Sequence, residues 1–156
     1  MSGFGVSEFG NSTFGEETVT QNHLPSHFIP RLQACLELAK NHQTLRFFEA
    51  MIQAEGGTAK WNPLNTTLDM GSQWTEPGNY NTTGVKNYKY AIVGVVATVL
   101  TFSQRKADGS YLFGTLLKNL KNAQLTAEEI VNKSLADIKL WGTNPQTILD
   151  VLKTIP

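Results

Sequence analysis

Apolar residues at Leu32, Cys35, Leu36, Leu38 and Ala39, and again at Leu45, Phe47, Phe48, Met51 and Ile52, recur three and four positions apart. That spacing puts them on one face of an α-helix. Pro30 favours a helix start, and the polar run Asn41-His42-Gln43-Thr44 interrupts the pattern, so two helices are predicted, over about 30–40 and 44–54. The second runs into Glu55-Gly56-Gly57, where glycine can supply a left-handed C-terminal cap. From Gly56 to Tyr88 the periodicity disappears into turn chemistry: Asn62-Pro63, Pro77-Gly78, and clusters of Asn and Thr. Such a stretch inside a domain predicts a functional loop or a small hairpin, with extended segments near Asn65–Asp69 and Thr83–Asn87.

Further on, Tyr88–Arg105 reads as a central helix stopped by Ala107-Asp108-Gly109, and Leu112–Lys121 as another. Thr126-Ala127-Glu128-Glu129 has the form of a capping box and opens a helix to about Leu140. Asn144-Pro145 caps a short terminal helix through Val151, Leu152 and Ile155. The fold class is therefore mainly α, with one small polar hairpin or loop region after the second helix. No βαβ alternation is present, which excludes a Rossmann-type sheet.

The first 25 residues differ in kind. Phe4-Gly5, Phe9-Gly10 and Phe14-Gly15 recur every five residues among small and acidic ones. That period suits neither a helix face nor a strand face, and glycine beside each phenylalanine resists regular structure. The expected division is a flexible arm over 1–25 and a helical domain over 26–156. Three evenly spaced aromatics make a docking device for a partner surface, or else a tail with a chance period.

Composition narrows the function. The length of 156 residues suits one domain. Thirteen basic residues balance thirteen acidic ones, so no net field steers the chain to nucleic acid or an anionic membrane. No nucleic-acid partner is expected. The longest apolar stretch, Tyr90–Phe102, is thirteen residues, short of the roughly 20 that a spanning helix needs. Cys35 stands alone, which excludes an internal disulfide framework and a cysteine cluster for metal; a buried, inert thiol is expected. His23 and His27 are separated by Pro25 and form no helical pair, and with His42 they suggest no metal site. No cofactor motif is present. The N-terminal residues have neither the basic nor the apolar region of a secretory signal. Four Asn-x-Ser/Thr sequences, at Asn11, Asn65, Asn81 and Asn132, therefore carry no expectation of glycans.

The chemistry-bearing feature is Glu55, a carboxylate at a helix C-terminus followed by a polar, glycine-containing loop. The helix dipole and apolar neighbours both disfavour negative charge there and so favour the protonated acid. A carboxylic acid so placed can protonate the leaving oxygen in glycoside cleavage; an ordinary solvated helix-end glutamate is the alternative from residue type alone. The run from Glu55 through Trp61-Asn62-Pro63-Leu64-Asn65-Thr66-Thr67, with Gly84-Val85-Lys86-Asn87-Tyr88 and the helix after it, resembles a family of bacteriophage and actinobacterial proteins with a lysozyme-like fold. The resemblance covers about 50–120, roughly half the chain.

It implies an α+β lysozyme-like domain in which a small hairpin walls a sugar cleft. Glu55 would be the general acid and Asp69 the candidate second carboxylate. Asn62, Asn65, Thr66 and Thr67 would line the hairpin side, with Tyr88 or Tyr111 near the sugar. If Asp69 faces away from the cleft, the single-acid route of lytic transglycosylases is implied, in which the substrate's N-acetyl group assists and an anhydro-sugar results. Trp61 and Trp74 could stack on sugar faces or close the core under the loop; Trp141, after a helix end, is expected in the core.

Two readings follow. One is a peptidoglycan-cleaving lysozyme or lytic transglycosylase of phage origin, in the virion or in the host cytoplasm before assembly, attached to virion proteins through Phe4, Phe9 and Phe14. The other is a virion or tail structural protein that keeps the fold without the activity. Neutral charge suits an enzyme fixed to a particle better than a free one, which gains from a basic surface at an anionic wall.

Overall fold

The computed structural model describes residues 27–56 and 58–156. The expectation of a flexible arm falls on residues outside that set. Among the described residues the chain is mainly helical, with seven helices: α1 Phe28–Cys35, α2 His42–Glu55, α3 Ala91–Phe102, α4 Gly114–Lys121, α5 Ala127–Lys133, α6 Leu135–Trp141 and α7 Pro145–Leu152. None of them is long and apolar enough to cross a membrane.

The helix ends follow their local chemistry. Asn41 accepts a hydrogen bond from the Thr44 amide at 2.9 Å and opens α2, and Gly56, at φ +57°, closes it in the left-handed conformation. Thr126 and Glu129 exchange both bonds of a capping box at the start of α5. Asn144 caps α7 with Pro145 in its first turn.

Other boundaries move for tertiary reasons. α1 stops at Cys35 instead of residue 40, because Glu37 turns left-handed at φ +53° and the Leu38 amide folds back onto the Gln33 carbonyl at 2.9 Å. The face of α1 that enters the core carries Phe28, Ile29 and Leu32, which leaves Cys35 exposed rather than buried. The helix expected from Thr126 to Leu140 is two helices that break at Ser134, which is 1% exposed. Asn119 of α4 donates to the Lys133 carbonyl (3.2 Å) and the Ser134 hydroxyl (3.0 Å), satisfying the end of α5. Asp137 of α6 accepts the Leu116 amide at 2.7 Å and so caps α4 in return.

α2, α5 and α7 pack on one another, α4 joins through α5 and α6, and α1 packs along α3. The core between them is aromatic at its centre. Phe48 meets Phe47 and Phe102 edge-on, at 5.4 and 6.4 Å between centroids, and Phe102 stacks on Trp141 at 4.6 Å. Trp141 thus belongs to the core, as expected, and its indole N–H reaches the Leu64 carbonyl at 3.0 Å. That bond ties the long loop to the helical bundle.

The loop from 58 to 90 contains no strand; the expected hairpin is reduced to an isolated antiparallel bridge between Thr75 and Tyr88. Side chains take over the work of a ladder. The buried Asn62 amide donates to the carbonyls of Thr66 and Lys86, at 2.8 and 2.7 Å, and accepts the Thr66 amide at 2.9 Å. Three of its four hydrogen-bonding positions are filled by backbone, so Asn62 holds the two sides of the loop at a fixed separation. The loop lies on α3 at Gly94, where an added Cβ would stand 1.7 Å from the Trp61 carbonyl oxygen. Only glycine permits this approach.

Candidate functional site

Glu55 is the last residue of α2, half-buried, where the helix meets the loop. Two segments converge on its carboxylate. From the loop, Asn65 donates its amide to Oε2 at 3.0 Å and to the Glu55 main-chain carbonyl at 3.1 Å. From the junction of α6 and α7, the Thr143 hydroxyl donates to Oε1. Thr143 is placed there by Gly142, which ends α6 at φ +108° and returns the Thr143 amide to the Ile138 carbonyl at 3.2 Å.

Asn65 owes its direction to backbone geometry. Trp61 and Asn65 are both left-handed, at φ +56° and +54°, a conformation with a cost on the order of 1 kcal/mol or more for a side-chain-bearing residue. Successive turns, Asn62 amide to Ala59 carbonyl and Asn65 amide to Asn62 carbonyl, both at 3.1 Å, hold the pair. Asn65 Oδ1 is buried with no protein partner, beside the Glu55 carboxylate.

The remaining residues expected at the site divide by placement. Thr66 and Tyr88 are turned inward with Asn62: Tyr88 is fully buried, and its hydroxyl pairs with Thr66 Oγ1 and the Leu68 carbonyl, each at 2.8 Å. These three hold the loop and present no polar atom to a sugar. Burial pushes the Tyr88 phenol above its ordinary range, with the Thr66 hydrogen bond opposing it. Thr67 is exposed, and Trp61 is half-buried against Tyr88, Val93 and Ala97. Trp61 therefore helps close a small core under the loop, while Trp74 stands 46% exposed, edge-on to Tyr90 at 6.2 Å.

Asp69 is exposed, and its carboxylate accepts the Gly71 amide at 2.8 Å. That backbone bond, followed by one from Thr75, holds its carboxyl below the usual range. It is a turn-capping aspartate. Tyr111 lies elsewhere, under the Arg105 guanidinium at 4.1 Å and on the wall of a cavity of about 450 Å³ that does not include Glu55.

The structure thus brings Glu55 together with Asn65, and adds Thr143, which sequence reasoning missed. Thr143 lies 88 residues away from Glu55 in sequence, and no local pattern signals the pairing. Comparison with protein-family models, curated proteins and solved structures returned no match.

Proposed function

We propose that the chain is a virion-associated glycosidase that cleaves bacterial peptidoglycan, with Glu55 as its general acid and residues 1–25 as its attachment to the particle. The observation that supports this most is the setting of Glu55. It is a half-buried carboxyl at a helix end, gripped on one oxygen by Asn65 from the loop and on the other by Thr143. Such a group has a fixed orientation before substrate arrives, which a proton donor requires.

The reading takes the single-acid route. Asp69 is engaged with its own turn through Gly71, so the second carboxylate is replaced by the substrate's N-acetyl oxygen, which attacks the anomeric carbon as Glu55 protonates the departing glycosidic oxygen. The bond to the leaving sugar breaks with its electron pair on that oxygen. A hydroxyl of the same sugar then displaces the N-acetyl oxygen, forms the anhydro-sugar and returns its proton to Glu55.

A second reading, a virion or tail structural protein with a lysozyme-like fold and no activity, draws on the same two contacts. Both Glu55 oxygens already have protein partners, and such a carboxylate also serves as a latch between α2, the loop and the α6–α7 junction. Incubation with purified peptidoglycan, read by mass spectrometry, separates the two. Anhydro ends support the single-acid glycosidase, reducing ends a lysozyme, and intact wall across several wall types the structural protein.

A further inference from the structure

α3 is the most apolar helix of the fold, yet one of its faces is uncovered. Ile92, Val96 and Leu100 are 52%, 40% and 46% exposed. With Ser103 they fall within about 80° of one another at 3.6 residues per turn, forming one stripe along the helix. Exposed Tyr90 and Trp74 stand at one end, in edge-on contact. At the other end Ser103 enters the 450 Å³ cavity, whose walls include Cys35, Glu37, Tyr111, Lys118 and Lys121. A continuous apolar strip of this kind on a protein surface marks an interaction site.

We infer that this strip and cavity receive the N-terminal arm of the same chain, with its phenylalanines as the anchors. Three observations select that occupant. The first is reach. α1 runs from Phe28 to Cys35, so its start lies about 10 Å from Cys35 on the cavity wall. The fourteen residues from Phe14 to Phe28 span up to about 45 Å, so Phe14 and the phenylalanines beyond it can all arrive.

The second is spacing. Ile92 and Ser103 are about 17 Å apart along the helix axis, and two phenylalanines five residues apart in an extended chain are separated by about the same distance. One phenylalanine at the aromatic end of the strip leaves its neighbour at the cavity. The third is charge. Residues 1–26 contain Glu8, Glu16 and Glu17 and no lysine or arginine, while Lys118 and Lys121 outnumber Glu37 around the cavity and Arg105 lies over Tyr111 at its edge. The covalent tether gives the arm an effective concentration on the order of millimolar, which favours it over a second copy of the chain. Attachment to a virion partner through the same phenylalanines would exchange this surface for the partner's.

Hydrogen exchange of the full chain, read by mass spectrometry, tests the docking. Amides around Phe4–Phe14 are expected to exchange about fivefold or more slowly than those of a free peptide of residues 1–26, since a docked arm exchanges only when it opens. Two full-length variants should abolish the slowing: one with Phe4→Ser, Phe9→Ser and Phe14→Ser together, and Val96→Asp, whose exposed position leaves the fold intact by circular dichroism. Free-peptide rates in the wild type, slowing that survives Val96→Asp, or slowing that disappears on dilution would each overturn the assignment, the last by moving the arm to another copy.

Discussion

Gly94→Ala is the sharpest perturbation of the contact between the loop and the helices. At this position in α3 the new Cβ would sit 1.7 Å from the Trp61 carbonyl oxygen and 2.9 Å from its carbon. Both are backbone atoms, so no side-chain rotation relieves the clash, and the loop must move away from α3 by an ångström or more. Overpacking of this kind costs about 1–3 kcal/mol, and alanine recovers about 1 kcal/mol of helix propensity over glycine. Because the obstacle is main chain, the upper part of the range applies, for a net loss of about 2 kcal/mol. In a domain of this size that corresponds to a fall in Tm of about 8 °C.

The displaced segment carries Asn65, so the loss should extend to the Asn65–Glu55 bond. Thermal unfolding by circular dichroism measures the first effect, and hydrogen exchange at 61–66 the second. Gly114→Ala is the control: its Cβ would meet only the Tyr111 Cβ, at 3.6 Å, and its Tm should stay level or rise slightly. A Gly94→Ala Tm within about 2 °C of wild type, beside a similar Gly114→Ala value, would refute the reasoning.

The other expectations concern the loop. Asn62→Ala removes three hydrogen bonds to backbone and leaves buried partners unsatisfied; a loss of about 2–4 kcal/mol is expected in urea unfolding. Tyr88→Phe deletes the hydroxyl between Thr66 and Leu68, with an expected loss of about 1–2 kcal/mol by the same measurement. The Tyr88 phenol is raised in the fold by burial, so the unfolded chain releases this proton first as pH rises. Its contribution is complete below the ordinary tyrosine range, and declines from about pH 10 upward until the folded phenol ionises. Wild type should therefore lose stability above about pH 10 more steeply than Tyr88→Phe, as read by urea titrations at pH 9 to 11.

Much of the helical order was legible because its determinants are local. Gly56 closes α2, the Thr126–Glu129 box opens α5 and Asn144-Pro145 opens α7, each within a few residues of the end it controls, whereas the Asn41 cap lay in a run read as an interruption. The break at Ser134 was not legible, since the apolar period runs through it from Ile130 to Ile138; Asn119 from another helix satisfies the end it creates. The Asn and Thr residues of the loop read as turn chemistry from their types. Asn62 instead spends three hydrogen bonds on backbone, and Tyr88 is buried on Thr66, because a loop without a ladder must satisfy its backbone by other means. Cys35 is exposed because the side of α1 that enters the core is the one carrying Phe28, Ile29 and Leu32. For the site, Glu55 and Asn65 are ten residues apart and share one motif, whereas Thr143 joins them only through the fold.

Release of muropeptides from purified peptidoglycan by the wild type and by Glu55→Gln tests the central proposal most directly. The amide keeps the shape of the side chain and can still pair with Asn65 and Thr143, but it cannot donate a carboxylic proton. Unchanged Tm with release reduced about 100-fold or more is the expected result, the range for loss of a general acid. Equal release by the two proteins would remove Glu55 from the chemistry, and no release by the wild type on any wall type would contradict the glycosidase reading and leave the structural one.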